Sequence, residues 1–122
     1  MSVNKTLMIV DDSKVSRMMI KAIVLDKHPE MTIFEAGDGQ EALELSEGKN
    51  IDFFSVDYNM PVMDGIAFIT QMKVKQGDAK FALLTANIQE ATHEKAKKIG
   101  VKCVNKPISD KCISEMLEHF YG

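Results

Sequence analysis

Five short apolar runs recur along this chain, and longer segments with helical periodicity separate them. The runs are rich in Val, Ile and Phe, and most lack the strict alternation of a strand with one solvated face. Runs of this kind are typical of parallel strands that are covered on both faces. Strands that alternate with helices predict a doubly wound α/β fold, with a parallel sheet between two helical layers. The predicted strands are residues 7–10, 32–36, 51–56, 81–84 and 101–104.

Capping residues mark the starts of four of the five predicted helices. Asp38, Asp64, Asn87 and Ser109 each stand where a side-chain oxygen can accept a bond from the first helical turn. The apolar stripe of the fourth helix is thin, so we expect that helix to be loosely held. The stripes expected to face the core are Val15, Met18, Met19, Ala22 and Ile23 in the first helix; Phe68, Ile69 and Met72 in the third; Ile88, Ala91, Ala96 and Ile99 in the fourth; and Cys112, Ile113, Met116, Leu117 and Phe120 in the fifth.

Bulk properties indicate one domain, residues 1–122, with enough chain for a real core. The net charge of −3 and the lack of a basic run argue against direct nucleic acid binding. Two cysteines without CxxC spacing are interpreted as free thiols rather than zinc ligands. The sequence has neither a membrane-span pattern nor a signal-peptide pattern, so we expect a cytoplasmic protein. The chain ends soon after the fifth helix without a linker, which favours a stand-alone domain.

Polar side chains follow the predicted strands at the edge where such sheets build their sites. Asp11 and Asp12 follow the first strand, Asp57 the third, Thr85 the fourth and Lys106 the fifth. Each pair or single residue has an ordinary explanation as a cap or an exposed turn, but their joint placement at four strand ends favours a site. Asp52, by contrast, starts the third strand at the opposite edge and is expected to be solvated.

This set of side chains suits phosphoryl transfer. Three neighbouring carboxylates repel one another, and a hard divalent cation such as Mg²⁺ relieves that repulsion and bridges to phosphate oxygens. A carboxylate such as Asp57 can attack phosphorus and form an aspartyl phosphate. Lys106 can balance the charge of the phosphoryl oxygens, and Thr85 can donate a hydrogen bond to one of them.

Five motifs carry a resemblance that covers the whole chain: "MIVDDS" (8–13), "EAGDGQEAL" (35–43), "VDYNMPVMDG" (56–65), "LLTA" (83–86) and "NKPIS" (105–109). With them the sequence resembles the receiver domain of two-component response regulators. It is most similar to the single-domain, chemotaxis-regulator type, which lacks an output domain. The resemblance implies a flavodoxin-like sheet with strand order 2-1-3-4-5.

The resemblance also implies roles for the residues at the strand ends. Asp57 is expected to be the phosphoacceptor, and Lys106 to contact the phosphoryl group. Asp12 and Asp57 are expected to bind Mg²⁺ through side-chain oxygens and Asn59 through its backbone carbonyl, with Asp11 acting mainly through a metal-bound water. The phosphoryl group is expected to come from a phosphohistidine of a sensor kinase. The receiver would catalyse only its own phosphorylation and dephosphorylation, so we do not expect an enzyme in the usual sense.

Switching residues follow from the same resemblance. Thr85 is expected to move toward the phosphoryl group, with small Ala86 leaving room, and the Lys106–Pro107 bond is expected to be cis. Helix 4, strand 5 and helix 5 form the family's output face, where a downstream protein would bind. Its exposed side chains here are expected to be Gln89, His93, Lys97, Lys102 and Lys111, a mixed surface that also fits a plain solvated face.

Two positions leave alternatives open. Cys103 stands where the family usually has Tyr or Phe, so either helix 4 carries the change directly or another side chain replaces the ring; Cys103 could also simply pack as a small hydrophobe. Asn59 and Asn87 flank the path of the hydrolytic water in the family. Two amides there would suit fairly quick dephosphorylation, although Asn87 fits equally well as a helix cap.

Competing functions make different demands on the same residues. A Mg²⁺-dependent phosphatase of the haloacid dehalogenase type places a second acid two residues after its nucleophile, and Asn59 stands there instead. A flavin-binding relative would need a phosphate loop after the first strand, where Asp11 and Asp12 would repel the cofactor. A receiver excised from a larger regulator is the remaining alternative.

Overall fold

The computed structural model describes residues 4–60, 63–86 and 90–122. Strands and helices alternate along them, as predicted, and the strand bounds differ from the predicted ones by at most two residues. The elements are β1 (Thr6–Val10), α1 (Lys14–Lys27), β2 (Thr32–Ala36), α2 (Gly39–Ser46), β3 (Phe53–Asp57), α3 (Gly65–Lys75), β4 (Lys80–Thr85), α4 (Glu90–Lys98), β5 (Lys102–Asn105) and α5 (Asp110–Tyr121).

The five strands form one parallel sheet in the order β2-β1-β3-β4-β5. This confirms the doubly wound α/β fold and the strand order that the resemblance implied. All five residues of β3 are buried, because it lies at the centre of the sheet with a neighbour on each side. The outer strands β2 and β5 are only partly buried, so the prediction that the strands are covered on both faces fails at the edges of the sheet.

Two hydrophobic layers hold the sheet. One contains apolar residues of α1 and α5, and the other contains apolar residues of α2, α3 and α4. Alternate residues of β3 reach the two layers: Phe53 stacks on Phe120 with ring centroids 4.6 Å apart, and Phe54 stacks on Phe81 at 4.8 Å. Burial of side chains this large is a main source of stability.

Three of the predicted helix caps are present. Asp38 accepts a bond from the backbone N–H of Glu41 at 2.7 Å, Asp64 accepts one from Ala67 at 2.8 Å, and the Ser109 hydroxyl accepts one from Cys112 at 3.1 Å. The predicted stripes of α3 and α5 are fully buried. The predicted cap at residue 87 lies outside the described residues.

The predicted core face of α1 is wrong except at Ile23, which is half-buried against the layer that α1 shares with α5. Val15, Met18 and Met19 are 66%, 58% and 44% exposed, and Ala22 is also exposed. Apolar residues surround most of this helix, and the stripe that packs on the sheet is the one through Ile20 and Val24. Ile20 and Val24 pack into the hydrophobic layer that also contains residues of α5, and the Ser13 hydroxyl caps the start of the helix by accepting from the Ser16 N–H at 3.2 Å.

The contacts of α4 also differ from the prediction. Ala96 is buried as expected, but Ala91 is exposed and Thr92 is buried in its place. Ile99 is half-buried, and residue 88 lies outside the described residues. No large side chain of the described part of α4 is fully buried, which fits the expectation of a loosely held helix.

Asp52 is not simply solvated. Its Oδ2 accepts a hydrogen bond from the backbone N–H of Thr6 at 2.9 Å, and its side chain is half-buried. The carboxylate therefore satisfies the first donor of β1 at the edge of the sheet opposite the strand ends.

Candidate functional site

Three carboxylates converge at the carboxyl ends of β1 and β3. One oxygen from each of Asp11, Asp12 and Asp57 lies within 4.8 Å of the other two. They converge because β1 and β3 are paired and in register up to Val10 and Val56, so the residues that follow lie side by side. Asp11 and Asp57 are 2% and 6% exposed, whereas Asp12 faces solvent.

Lys106 brings an ammonium group to two of these carboxylates. Its Nζ lies 3.1 Å from Asp57 Oδ1 and 3.4 Å from Asp11 Oδ2. The lysine follows β5, and its backbone N–H donates to the carbonyl of Thr85 at 2.9 Å, which holds this end of β5 against β4. The Lys106–Pro107 peptide bond is cis, as expected.

The charges at the site are out of balance. Burial raises the pKa of the Asp57 carboxyl and the Asp11 carboxylate raises it further, while Lys106 and the backbone N–H of Asn59 lower it without cancelling the rise. Burial lowers the pKa of Lys106, but the Asp57 and Asp11 carboxylates outweigh it and leave the pKa raised. Lys106 therefore stays charged, and its single positive charge, paired with Asp57 and Asp11, does not balance the three carboxylates. A further cation would relieve the remaining repulsion.

The Asp11–Asp12 turn is fixed by four hydrogen bonds. The backbone N–H of Asp11 donates to the carbonyl of Ala36 at 3.0 Å, and the N–H of Ser13 donates to Asp11 Oδ1 at 2.8 Å. Lys106 reaches Asp11 Oδ2, and Arg17 Nη1 donates to the Asp11 carbonyl at 2.6 Å. Sequence reasoning missed Arg17. In the sequence, Arg17 is marked only by its position, one turn into the helix that follows Asp11 and Asp12.

Gly65 allows the loop after Asp57 to fold back on its own strand. Its N–H donates to the Tyr58 carbonyl at 3.0 Å. A Cβ at Gly65 would lie 2.6 Å from Leu83 Cδ1 and 2.7 Å from the Asp57 carbonyl oxygen, so no other residue fits without displacement. Tyr58 is half-buried and Asn59 is exposed. Pro61 lies outside the described residues.

The predicted switching residues lie along β4 and β5. Thr85 ends β4 and is 1% exposed, and the following Ala86 is exposed. Cys103 is half-buried in β5, on the side of the sheet that packs against α2, α3 and α4. Of the side chains expected to be exposed on the output face, Lys97, Lys102 and Lys111 are exposed, but His93 is half-buried, so that expectation is wrong at His93. Residues 87 and 89 lie outside the described ranges.

Across residues 4–60, 63–86 and 90–122, the three aspartates are the only group of at least three acidic, His or Cys side chains close enough to share a cation. Both cysteines are free thiols, as interpreted from the sequence. None of the helices in these ranges combines the length and hydropathy that crossing a bilayer requires.

Residues 7–118 match a family model described as the response regulator receiver domain. The chain is 35% identical over 113 residues to the chemotaxis protein CheY of Listeria monocytogenes serovar 1/2a, covering 92% of this chain and 94% of that protein. It is 31% identical over 97 residues to RpfG, a cyclic di-GMP phosphodiesterase response regulator of Xanthomonas campestris pv. campestris. That match covers 78% of this chain but only 26% of RpfG.

Solved structures show the same fold. The structure of the Vibrio cholerae chemotaxis protein CheY4 crystallised at low pH superposes with a TM-score of 0.84 and 24% identity. The superposition covers 95% of this chain and 98% of that one.

Proposed function

Because this chain belongs to the response regulator receiver family of two-component signalling, we propose that Asp57 is the residue that accepts the phosphoryl group. One observation supports this most directly: Asp57 is a buried carboxylate at the end of the central strand, 3.1 Å from the Lys106 ammonium and beside two further carboxylates. The family resemblance predicted the same residue. Residues 1–122 would then act as one receiver unit.

The three aspartates fit a divalent cation, and we propose Mg²⁺. The fit rests on the three oxygens within 4.8 Å of one another, and it agrees with the raised pKa of Asp57, whose charged form burial and the Asp11 carboxylate disfavour. Asp12 and Asp57 would hold the ion through side-chain oxygens and Asn59 through its carbonyl. Bound Mg²⁺ neutralises charge on the carboxylates and on phosphate oxygens.

The chain's own residues then account for the transfer. A carboxylate oxygen of Asp57 attacks the phosphorus of a phosphohistidine, the new P–O bond forms, and the P–N bond breaks with its electron pair returning to the imidazole nitrogen. The Lys106 ammonium forms an ion pair with the oxygens of the phosphoryl group while that group is transferred from the donor. The Thr85 hydroxyl donates a hydrogen bond to one of them. Water later attacks the phosphorus, the P–O bond to Asp57 breaks with its electron pair returning to the carboxylate, and inorganic phosphate leaves.

The donor would be a sensor histidine kinase or a phosphotransfer protein, and we place its contact on the exposed face of α1. That face consists of Val15, Met18 and Met19, and it starts two residues after the Ser13 cap of the Asp11–Asp12 turn. Lys14 is exposed beside it, so an apolar helix with acidic neighbours would be complementary in both packing and charge.

The signal would leave through α4, β5 and α5 to a downstream protein. In β5, Cys103 cannot move a ring between exposed and buried positions, so we propose that α4 carries the change directly. If Cys103→Tyr left partner affinity and its phosphorylation dependence unchanged, the position would be outside the switch. Relatives in chemotaxis make a chemotaxis pathway the leading candidate.

The phosphatase alternative is not favoured. Asn59 occupies the position where that class needs a second acid, and the family match covers residues 7–118.

The decisive experiment is labelling with a small acyl phosphate in the presence of Mg²⁺. Wild type should take up one phosphoryl group, Asp57→Ala none, and Asp78→Ala, which removes an exposed acid, one. Labelling of Asp57→Ala equal to wild type would overturn the assignment. Profiling against the histidine kinases of the source organism would then identify the donor, and turnover of ordinary phosphate esters would favour the phosphatase.

A further inference from the structure

Arg17 bonds to the backbone that carries the two neighbouring acids of the site. Its Nη1 donates to the Asp11 carbonyl oxygen at 2.6 Å. That oxygen belongs to the peptide unit between Asp11 and Asp12, which is planar. A donor that holds the oxygen therefore holds the orientation of the plane, and with it the directions in which both side chains leave the backbone.

Arg17 also pairs with a carboxylate of β2. Its Nε lies 3.2 Å from Glu35 Oε1, and the second oxygen of Glu35 lies 3.6 Å from Lys21 Nζ. Glu35 is part of β2, whose next residue supplies the carbonyl that accepts from the Asp11 N–H. The Arg17 side chain is only 17% exposed, so its guanidinium is fixed between β2 and the turn rather than free in solvent.

We propose that Arg17 is a positioning residue of the cation site: through the Asp11 carbonyl it orients the Asp11–Asp12 peptide so that both carboxylates face one ion. This inference rests on the proposed function, since it needs the three aspartates to bind a cation. Within the described residues Arg17 makes no ion pair with Asp11, Asp12 or Asp57, and its bond to Asp11 is to the backbone carbonyl. It acts on the ligands, in the way that outer hydrogen bonds commonly tune a metal site.

Charge and positioning predict opposite effects for loss of this arginine. A guanidinium close to a cation site repels the ion, so its removal would tighten cation binding if charge alone mattered. Loss of the bond to the Asp11 carbonyl frees the peptide plane. The two carboxylates then lose more conformational entropy when the ion binds, which weakens binding. The sign of the change in affinity therefore distinguishes the two.

The test is cation affinity, measured without any phosphoryl transfer. Mn²⁺ serves as the probe in electron paramagnetic resonance titrations, with competition by Mg²⁺. We expect Arg17→Met to weaken binding about tenfold, the lower end of the range for loss of an outer-shell partner. Lys21→Met is the matched control, because it removes another positive charge from Glu35 but leaves the bond to Asp11. It should bind the ion as tightly as wild type or slightly more tightly.

Unchanged or tighter binding by Arg17→Met overturns the inference. Asp12→Asn separates that failure from failure of the proposed function: it should abolish binding, and if it does not, the cation site itself is misassigned. If Arg17→Met does not fold, Arg17→Gln is measured instead, with the same expectation of weaker binding and the same overturning result. Arg17→Lys keeps one donor and should recover part of the affinity, which a general loss of structure would not allow.

Discussion

Asp57 lies in an environment that disfavours its own charge. Burial and the neighbouring Asp11 raise its pKa, and the ion pair with Lys106 offsets this only in part. A carboxyl whose pKa is raised in the fold destabilises the folded state at every pH above that folded pKa. The nucleophile therefore costs stability until a cation or a phosphoryl group changes the balance at the site.

Asp57→Asn should consequently stabilise the cation-free protein at pH 7.5, by about 1 kcal/mol in the free energy of unfolding. As the pH falls, wild-type Asp57 takes up its proton in the folded state before it does so in the unfolded state. The advantage of the variant should therefore shrink as the pH falls through the folded pKa toward 3.8, the ordinary pKa of an aspartate. Urea unfolding from pH 7.5 to pH 4 measures this. A variant less stable than wild type, or a gap that does not depend on pH, would contradict it.

Gly65 leaves no room for a Cβ. Gly65→Ala should lower the free energy of unfolding by about 1–3 kcal/mol, because the added Cβ meets Leu83 and the Asp57 carbonyl. It should also slow labelling by a small acyl phosphate, because the backbone that the new Cβ displaces belongs to Asp57, the proposed nucleophile. Gly77→Ala is the matched control: its Cβ would be 3.6 Å from the Lys73 carbonyl oxygen, an ordinary contact. Equal losses in the two variants, measured by urea midpoints, would show that the contact at Gly65 is unimportant.

Site residues were predictable where their chemistry is unusual for their position. An acid at the end of an apolar strand is conspicuous, and Asp57 was singled out on that ground. Arg17 was not, because an arginine on a helix is ordinary and its bond to the Asp11 carbonyl depends on the packing of α1 against β2.

At the scale of elements, α1 shows how a stripe can mislead. Apolar side chains cover most of its circumference, so periodicity alone allows more than one core face. Only the assembled fold distinguishes them, because the sheet and α5 bury Ile20 and Val24. The stripe left outside then has no role in the core, which is why we assign it to the donor.

Met18→Glu tests that assignment. It should reduce phosphotransfer from the cognate histidine kinase about tenfold, the effect of losing a contact of about 1.4 kcal/mol. Labelling by a small acyl phosphate should stay at the wild-type rate, because that donor touches only the site. Val74→Glu is the control, since Val74 is 87% exposed but lies on α3. A kinase rate that is unchanged in Met18→Glu would place the donor elsewhere.

The helices α4 and α5 differ in how they are held. Five side chains of α5 are buried, including Met116 and Phe120, whereas Thr92 and Ala96 are the small buried side chains in the described part of α4. Amide hydrogen exchange should therefore be at least about tenfold faster in α4 than in the middle of α5. If α4 carries the switch, its exchange should also change on phosphorylation. Equal protection of the two helices would remove the physical basis for that role.

At the scale of the whole molecule, alternation was enough to predict the α/β class but not the strand order. The five apolar runs are too similar to specify which strand pairs with which, so the order came from the family resemblance and was then confirmed. The same limit applies to partial burial of β2 and β5. Their runs resemble those of the inner strands, and only the assembled sheet shows that they lie at its edges.

The site is connected to both hydrophobic layers through β3. Asp57 is the last residue of this central strand, and its two phenylalanines pack one into each layer. A domain of 122 residues usually unfolds as one unit, so binding at this site should stabilise the whole chain. Above the dissociation constant, each tenfold rise in Mg²⁺ should add about 1.4 kcal/mol to the free energy of unfolding. Urea midpoints measured at constant ionic strength with NaCl report this directly. Asp12→Asn should show no such rise, because it removes one of the proposed ligands while leaving both layers intact. A rise of equal size in Asp12→Asn would mean that Mg²⁺ acts elsewhere on the protein.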